Sequence, residues 1–133
     1  MNDISKEIRK YMDNAKSRIK SAEVLRDTGQ YNDAISRIYY AFFDAATAAL
    51  LTKEITAKTH HGLVLLFEQH FIKSGAISSE IGKELARIKE EREEADYEVF
   101  REFTEEEVEK DLKAAKEFIQ AVENSIIKNH GKN

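Results

Sequence analysis

The sequence predicts an all-α protein, an up-down antiparallel bundle of about five helices formed by residues 1–133 as a single domain. Three observations carry this reading. Proline is absent and glycine is scarce, with Gly29 and Gly75 placed as punctuation, so long helices can run uninterrupted. Apolar residues recur at three- and four-residue spacing through most of the chain, the period of a helix with one buried face. Strand-like alternation and Asn-Gly or Asp-Gly hairpin turns do not occur.

The first helix spans about Asp3 to Thr28, with Ile4, Ile8, Tyr11, Ala15, Ile19, Ala22 and Leu25 on its stripe; Gly29 supplies a left-handed cap. The second runs from an N-cap at Asn32 to Leu51. After the loop "KEITA", the third covers Thr59 to Lys73 and groups Leu63, Val64, Phe67 and Phe71, with Gly75 closing it. Ser78 opens the fourth, which continues to about Arg101. The fifth has the clearest start. Thr104 and Glu107 have capping-box spacing, Phe103 and Val108 sit where a hydrophobic staple would, and the stripe is Val108, Leu112, Ala115, Ile119, Val122 and Ile126. The tail "KNHGKN" is expected to fray. Short connections make neighbouring helices antiparallel. "TGQYNDAISRIYYAFFDAA" has the look of a tetratricopeptide repeat, but it does not recur at the required period, so a solenoid is set aside.

Composition bounds the function. With 41% hydrophobic residues the chain can build a core despite 35% charged ones. Cysteine is absent, which excludes thiol-ligated metal and a disulfide framework and fits a reducing, cytoplasmic location. The N-terminus lacks a signal-like apolar region, and no apolar run reaches membrane-spanning length. A net charge of -4 argues against a duplex DNA footprint, although it permits a local phosphate site. The acidic run from Glu90 to Asp111 reads as a solvated helix face.

Helix two is apolar on two sides. Ile35, Ile38, Tyr39, Phe42, Ala46 and Ala49 form one face, while Tyr40, Ala41, Ala48 and Leu51 surround Arg37 and Asp44 on the other. Such a helix is either central in the bundle or covered by a second subunit, and the small alanines favour a homodimer interface here.

One residue breaks the pattern of helix four. Ile81, Leu85, Ile88, Ala95 and Val99 form its stripe, and the member between Ile88 and Ala95 is Arg92. A guanidinium cannot shed its proton, and buried without partners it costs on the order of several kcal/mol. Asp96 one turn on offers only a few tenths, roughly, in this orientation. A further partner is required: another helix, a subunit cavity or a bound anion. Arg37, Tyr40 and Asp44 share a face of helix two at three- and four-residue spacing. If helices two and four are neighbours, Arg37, Asp44, Arg92 and Asp96 form one polar cluster. Such a cluster is either a register-fixing salt-bridge network or an anion pocket, and on the residues alone the network is the commoner outcome. His60, in phase with Leu63, Val64 and Phe67, is either a base or a hydrogen-bonded packing histidine. Adjacent His60 and His61 diverge too far to clamp a metal, and no metal site or cofactor is expected. Phosphate-loop and nucleophile-elbow motifs are absent.

Three segments in order, "SRIYYAFFDAATAALL" at 36–51, "KTHHGLVLLFEQHFIKSGAI" at 58–77 and "EREEADYEV" at 91–99, resemble the small stand-alone prokaryotic members of the HEPN family. The matched signature is Arg-x-Tyr-Tyr-Ala, then Lys-Thr-His, then Arg-x-x-x-Asp-Tyr. The resemblance implies a helical bundle that dimerises through its central helices, a nucleotide-binding role, and a minimal nucleotidyltransferase as partner in a toxin–antitoxin type pair. It also implies an alternative, because several branches are metal-independent ribonucleases whose arginine is followed four to six residues later by histidine. Here those windows after Arg92 hold Tyr97, Glu98 and Val99, and Tyr97 lies on the opposite helix face. Metal-free RNA cleavage needs a proton acceptor, a donor and positive charge on the phosphate. Arg92 can supply only the last, and His60 is the candidate replacement for the imidazole. The sequence therefore reads first as a binding module holding a nucleotide, RNA or phosphate near Arg37, Tyr40, Asp44, His60, Arg92 and Asp96. A ribonuclease toxin with a degenerate motif and a purely structural dimer are the alternatives.

Overall fold

The computed structural model describes the backbone of residues 3–97 and 101–130, and the side chains of residues 4–94 and 101–128. Among the described residues there are five α-helices and no strand: α1 (Asp3–Asp27), α2 (Tyr31–Leu51), α3 (His60–Phe67), α4 (Ser79–Tyr97) and α5 (Glu105–His130). None is long and apolar enough to cross a membrane.

The helix ends follow from local chemistry. At the end of α1 the Gly29 N–H donates to Arg26 O (3.0 Å) and the Gln30 N–H to Leu25 O (2.8 Å), with Gly29 at φ 77°. This pair of bonds is a Schellman cap, and it needs the left-handed backbone that glycine adopts freely. The same pair closes α2, from Glu54 N to Leu51 O (2.9 Å) and from Ile55 N to Leu50 O (3.1 Å). There the left-handed position is held by Glu54, at φ 57°. At α5 the expected capping box forms: Glu107 N donates to Thr104 Oγ1 (3.2 Å) and Thr104 N to Glu107 Oε1 (3.0 Å). Phe103 and Val108 are both buried beside it.

Four boundaries depart from the sequence reading. Gln30, not Asn32, holds the N-cap position of α2, and it makes no side-chain cap bond. The Asn32 carboxamide reaches instead to the link before α5, donating to Arg101 O and accepting from Phe103 N, both at 2.9 Å. Backbone groups outside regular structure need partners, and here a side chain 69 and 71 residues away supplies them. The expected third helix divides into α3 and a π-helical turn at Glu68–Ile72. Arg101 lies outside any helix, and α5 extends to His130, past the start of the expected fraying tail.

Ion pairs record the packing directions. Glu23 pairs with Lys116 (3.0 Å) and Arg26 with Glu109 (2.8 Å), while Lys16 pairs with Glu123. Rising numbers on α1 meet falling numbers on α5, so the two are antiparallel. The core is organised around α2. Phe42 of α2 and Phe67 of α3 both pack on Phe118 of α5, at ring-centroid distances of 4.9 and 5.2 Å. The π turn brings Phe71 into stacked contact with Phe67 at 5.2 Å. Gly82 lets α4 approach this turn closely, since a Cβ there would lie 1.8 Å from Ile72 Cδ1.

Within one chain, 13 residues of the 21 in α2 are buried, including Ala41, Ala48 and Leu51. The second apolar side of α2 is thus covered by its own bundle, and a homodimer is not needed to explain it. What α2 leaves to solvent is a narrow polar stripe.

Glu54 generates a stability prediction. It is exposed, and its left-handed backbone costs a residue with a Cβ about 1–2 kcal/mol, partly offset in a glycine variant by unfolded-state entropy. Glu54→Gly should raise the free energy of urea unfolding by about 1 kcal/mol. A loss of stability would mean that this cap is not the left-handed one described.

Candidate functional site

Along α2 the outward residues Asp33, Ser36, Arg37, Tyr40 and Asp44 follow the helical period. They face α1, whose Arg18 no local sequence pattern distinguishes. Arg18 Nε donates to Asp44 Oδ2 at 2.6 Å, and its guanidinium carbon lies 5.4 Å from the centroid of the Tyr40 ring. Burial pushes the Asp44 carboxyl above its ordinary range, against the downward pull of Arg18. Beside this pair a groove of about 430 Å³ opens between α1 and α2, lined by Arg18, Leu25, Asp33, Ser36, Arg37 and Tyr40.

The chemistry of the groove is mixed. Arg18 gives one of its five donors to Asp44 and keeps others. Arg37 is exposed. Two guanidinium groups and the Ser36 hydroxyl can meet an anion, while Asp33 can only accept. Tyr40, 40% exposed, presents an aromatic surface. It is one of few large apolar or aromatic side chains left open, which makes its exposure informative.

His60 lies on the neighbouring surface. Thr59 caps α3 by accepting from Gly62 N at 2.9 Å, which sets the first turn of that helix against α2. His60 Nδ1 is 2.7 Å from the Tyr39 hydroxyl, and its ring lies 4.3 Å from that of Phe43 and 6.5 Å from that of Tyr40. When Tyr39 donates to Nδ1, the other ring nitrogen carries the proton and is left to other partners. Tyr40, with Arg18 over its ring and His60 at its edge, thus joins the groove to the imidazole.

Arg37, Tyr40 and Asp44 are gathered toward α1, and the partner of Asp44 is Arg18. Arg92, on α4, is half-buried and has an interaction partner of its own. The side chains of Ala95, Asp96 and Tyr97, and residues 98–100 including Glu98 and Val99, lie outside the described residues.

A second polar centre joins α4 to α5. Arg87 donates to Glu84 (2.5 Å), Glu91 (3.2 Å) and Asp111 (2.9 Å). Asp111 is 1% exposed and Glu91 is half-buried. The acidic run from Glu90 to Asp111 is therefore not wholly a solvated face. Asp111 could have been found by the test that found Arg92, since Val108, Asp111, Ala115, Phe118 and Val122 are all buried and follow a three-four spacing. Among the described residues no group of three His, Asp or Glu side chains is placed to hold a metal ion.

Comparison with known proteins agrees with the bundle. The HEPN domain profile matches residues 8–125. A "UPF0332 protein" of Thermotoga maritima is 33% identical over 95% of this chain and 96% of its own length. A Methanocaldococcus jannaschii protein named "Putative toxin" is 32% identical over 93% of this chain and 92% of its own. An Archaeoglobus fulgidus "UPF0332 protein" is 34% identical over 89% of this chain and 99% of its own. With the family profile spanning nearly all five helices and these relatives matched end to end, the chain belongs to the HEPN domain family.

Proposed function

We propose that this protein is a HEPN-type binding module that holds a nucleotide in the α1–α2 groove and acts in a toxin–antitoxin type pair with a minimal nucleotidyltransferase. The observation that carries the ligand is the groove itself, about 430 Å³ with Arg18, Arg37, Ser36, Asp33 and Tyr40 on its walls. Its charges nearly balance, with Asp44 and Asp33 set against the two arginines. A bare phosphate gains little there. A nucleotide gains more: phosphate oxygens meet Arg37 and the free donors of Arg18, base or ribose donors meet Asp33, and the base stacks on Tyr40. The partner and the cytoplasmic setting rest on the resemblance and on relatives with toxin names.

One observation favours a second reading, a metal-independent ribonuclease. The imidazole of His60 is oriented by Tyr39 at 2.7 Å and stands beside an exposed tyrosine; in the tautomer in which Nδ1–H donates to the Tyr39 oxygen, Nε2 carries the lone pair that a base for a 2'-hydroxyl needs. That reading requires a homodimer, because the resemblance places the arginine centres of two copies together, with Arg92 as the phosphate-binding cation.

Titration calorimetry with ATP and GMP tests the first reading. Arg37→Ala should weaken nucleotide binding about tenfold, the loss of one charge-assisted contact of ~1.5 kcal/mol, without lowering the melting temperature. Millimolar nucleotide leaving the wild-type protein unbound would end this assignment. Incubation of the purified protein with RNA and a chelator separates the two readings. The binding-module reading predicts intact RNA, whereas cleavage that disappears in both Arg92→Ala and His60→Ala would replace it with the ribonuclease.

A further inference from the structure

The contact between α4 and α5 contains two acidic side chains whose inner oxygens have no donor. Asp111 Oδ1 and Glu91 Oε2 are taken by Arg87, at 2.9 and 3.2 Å. Asp111 Oδ2 and Glu91 Oε1 are buried and have no hydrogen-bond partner. Two such oxygens on side chains held by the same guanidinium are a costly arrangement when both groups are ionised, since each is an acceptor only and each repels the other. One added proton removes both problems. It turns one oxygen into a donor to the other and leaves a single negative charge against Arg87.

We propose that Glu91 and Asp111 share one proton, and that this carboxyl–carboxylate bond is a pH-sensitive latch holding the C-terminal half of α4, next to Arg92, onto α5. The surrounding charges agree with a retained proton. On α4, Arg87 is shared with Glu84, so its single positive charge is divided among three carboxylates. On α5, Glu107 adds a further negative charge, itself held by Arg101 of the preceding link at 2.6 Å. The charged residues of α2 are engaged elsewhere: Asp33 and Arg37 line the α1 groove, and Asp44 binds Arg18. From the π turn, Glu68 faces Lys83 and the start of α4. Of the charges acting on Glu91, that of Arg87 lowers its carboxyl, while those of Asp111 and Glu107 raise it. Burial, then the hydrogen bond and charge of Asp111, raise the Glu91 carboxyl to about 8.

The sign follows from proton linkage. An unfolded glutamate releases its proton near pH 4.3, roughly, so between that value and about 8 the folded protein holds a proton that the unfolded chain does not. Stability is fullest below the unfolded value and falls as pH rises to about 8, where the latch opens. Above that the loss is complete.

Urea unfolding from pH 5 to 9 tests this on the full chain, comparing wild type with Glu91→Gln. Glutamine keeps a donor toward Asp111 without a titrating proton. The wild-type unfolding constant should rise with pH by up to about tenfold per unit from pH 5 to about 8 and level off above it, beyond any rise seen in the variant. At pH 9 the variant should unfold with the smaller constant. Equal slopes in the two proteins would overturn the proposal. Should the variant fail to fold, carboxyl carbon NMR of the wild-type protein decides. A Glu91 titration centred near 8 sustains the shared proton, and titration of both carboxyls below 5 refutes it.

Discussion

The enclosure of α2 is the constraint on which the rest of the structure depends. Its alanines at 41, 45, 46, 48 and 49 are all essentially inaccessible, and Phe42 at its centre is fully buried. A helix so rich in small and aromatic residues has little surface to offer water, so α1, α3, α4 and α5 must cover it. Covering it nearly completely leaves one stripe, and polar residues are affordable only there. Arg37, Tyr40 and Asp44 are placed by that geometry: they occupy the edge of α2 where α1 does not close over it. The groove is the remainder of an almost complete wrap, and the ligand proposed for it is one whose chemistry matches that remainder.

Much of this was legible in the residues and some was not, for identifiable reasons. Helix-end chemistry was readable wherever it is local, as in the Gly29 cap and the Thr104–Glu107 box. It failed at Asn32, because a carboxamide that bonds the backbone of residues 101 and 103 looks identical in sequence to one that caps its own helix. Periodicity exposed Arg92 as an intruder on an apolar stripe. On α5 the periodicity of Val108, Leu112, Ala115, Ile119 and Val122 picks out residues that are all buried, yet it passes over Asp111 and Phe118 beside them, which are buried as well. A broad helical face holds two interleaved stripes, and a reading that follows one will miss polar residues on the other.

Two-sided apolarity of α2 was the other ambiguous signal. Sequence cannot distinguish a helix buried by its own chain from one buried by a second copy, since both environments select the same residues. In the fold Ala41, Ala48 and Leu51 are covered inside one chain, while Tyr40 on the same side is 40% exposed. Arg18 was invisible for a related reason. Its ion pair with Asp44 and its place over Tyr40 arise from the antiparallel register of α1 on α2, which no local pattern states. The candidate site is thus half predicted, in the residues of α2, and half a product of packing.

The two polar centres of the bundle divide its labour. One, on α2 and α1, is open and nearly balanced in charge and is the proposed ligand site; the other, between α4 and α5, is closed and acid-rich. Chemical-shift mapping of the isotope-labelled protein with GMP tests that division most directly. The account predicts perturbations concentrated at Arg18, Ser36, Arg37 and Tyr40, with the Arg18 Nε signal among them. Shifts centred on Arg92 and the α4–α5 contact, with the α1–α2 groove unmoved, would contradict it.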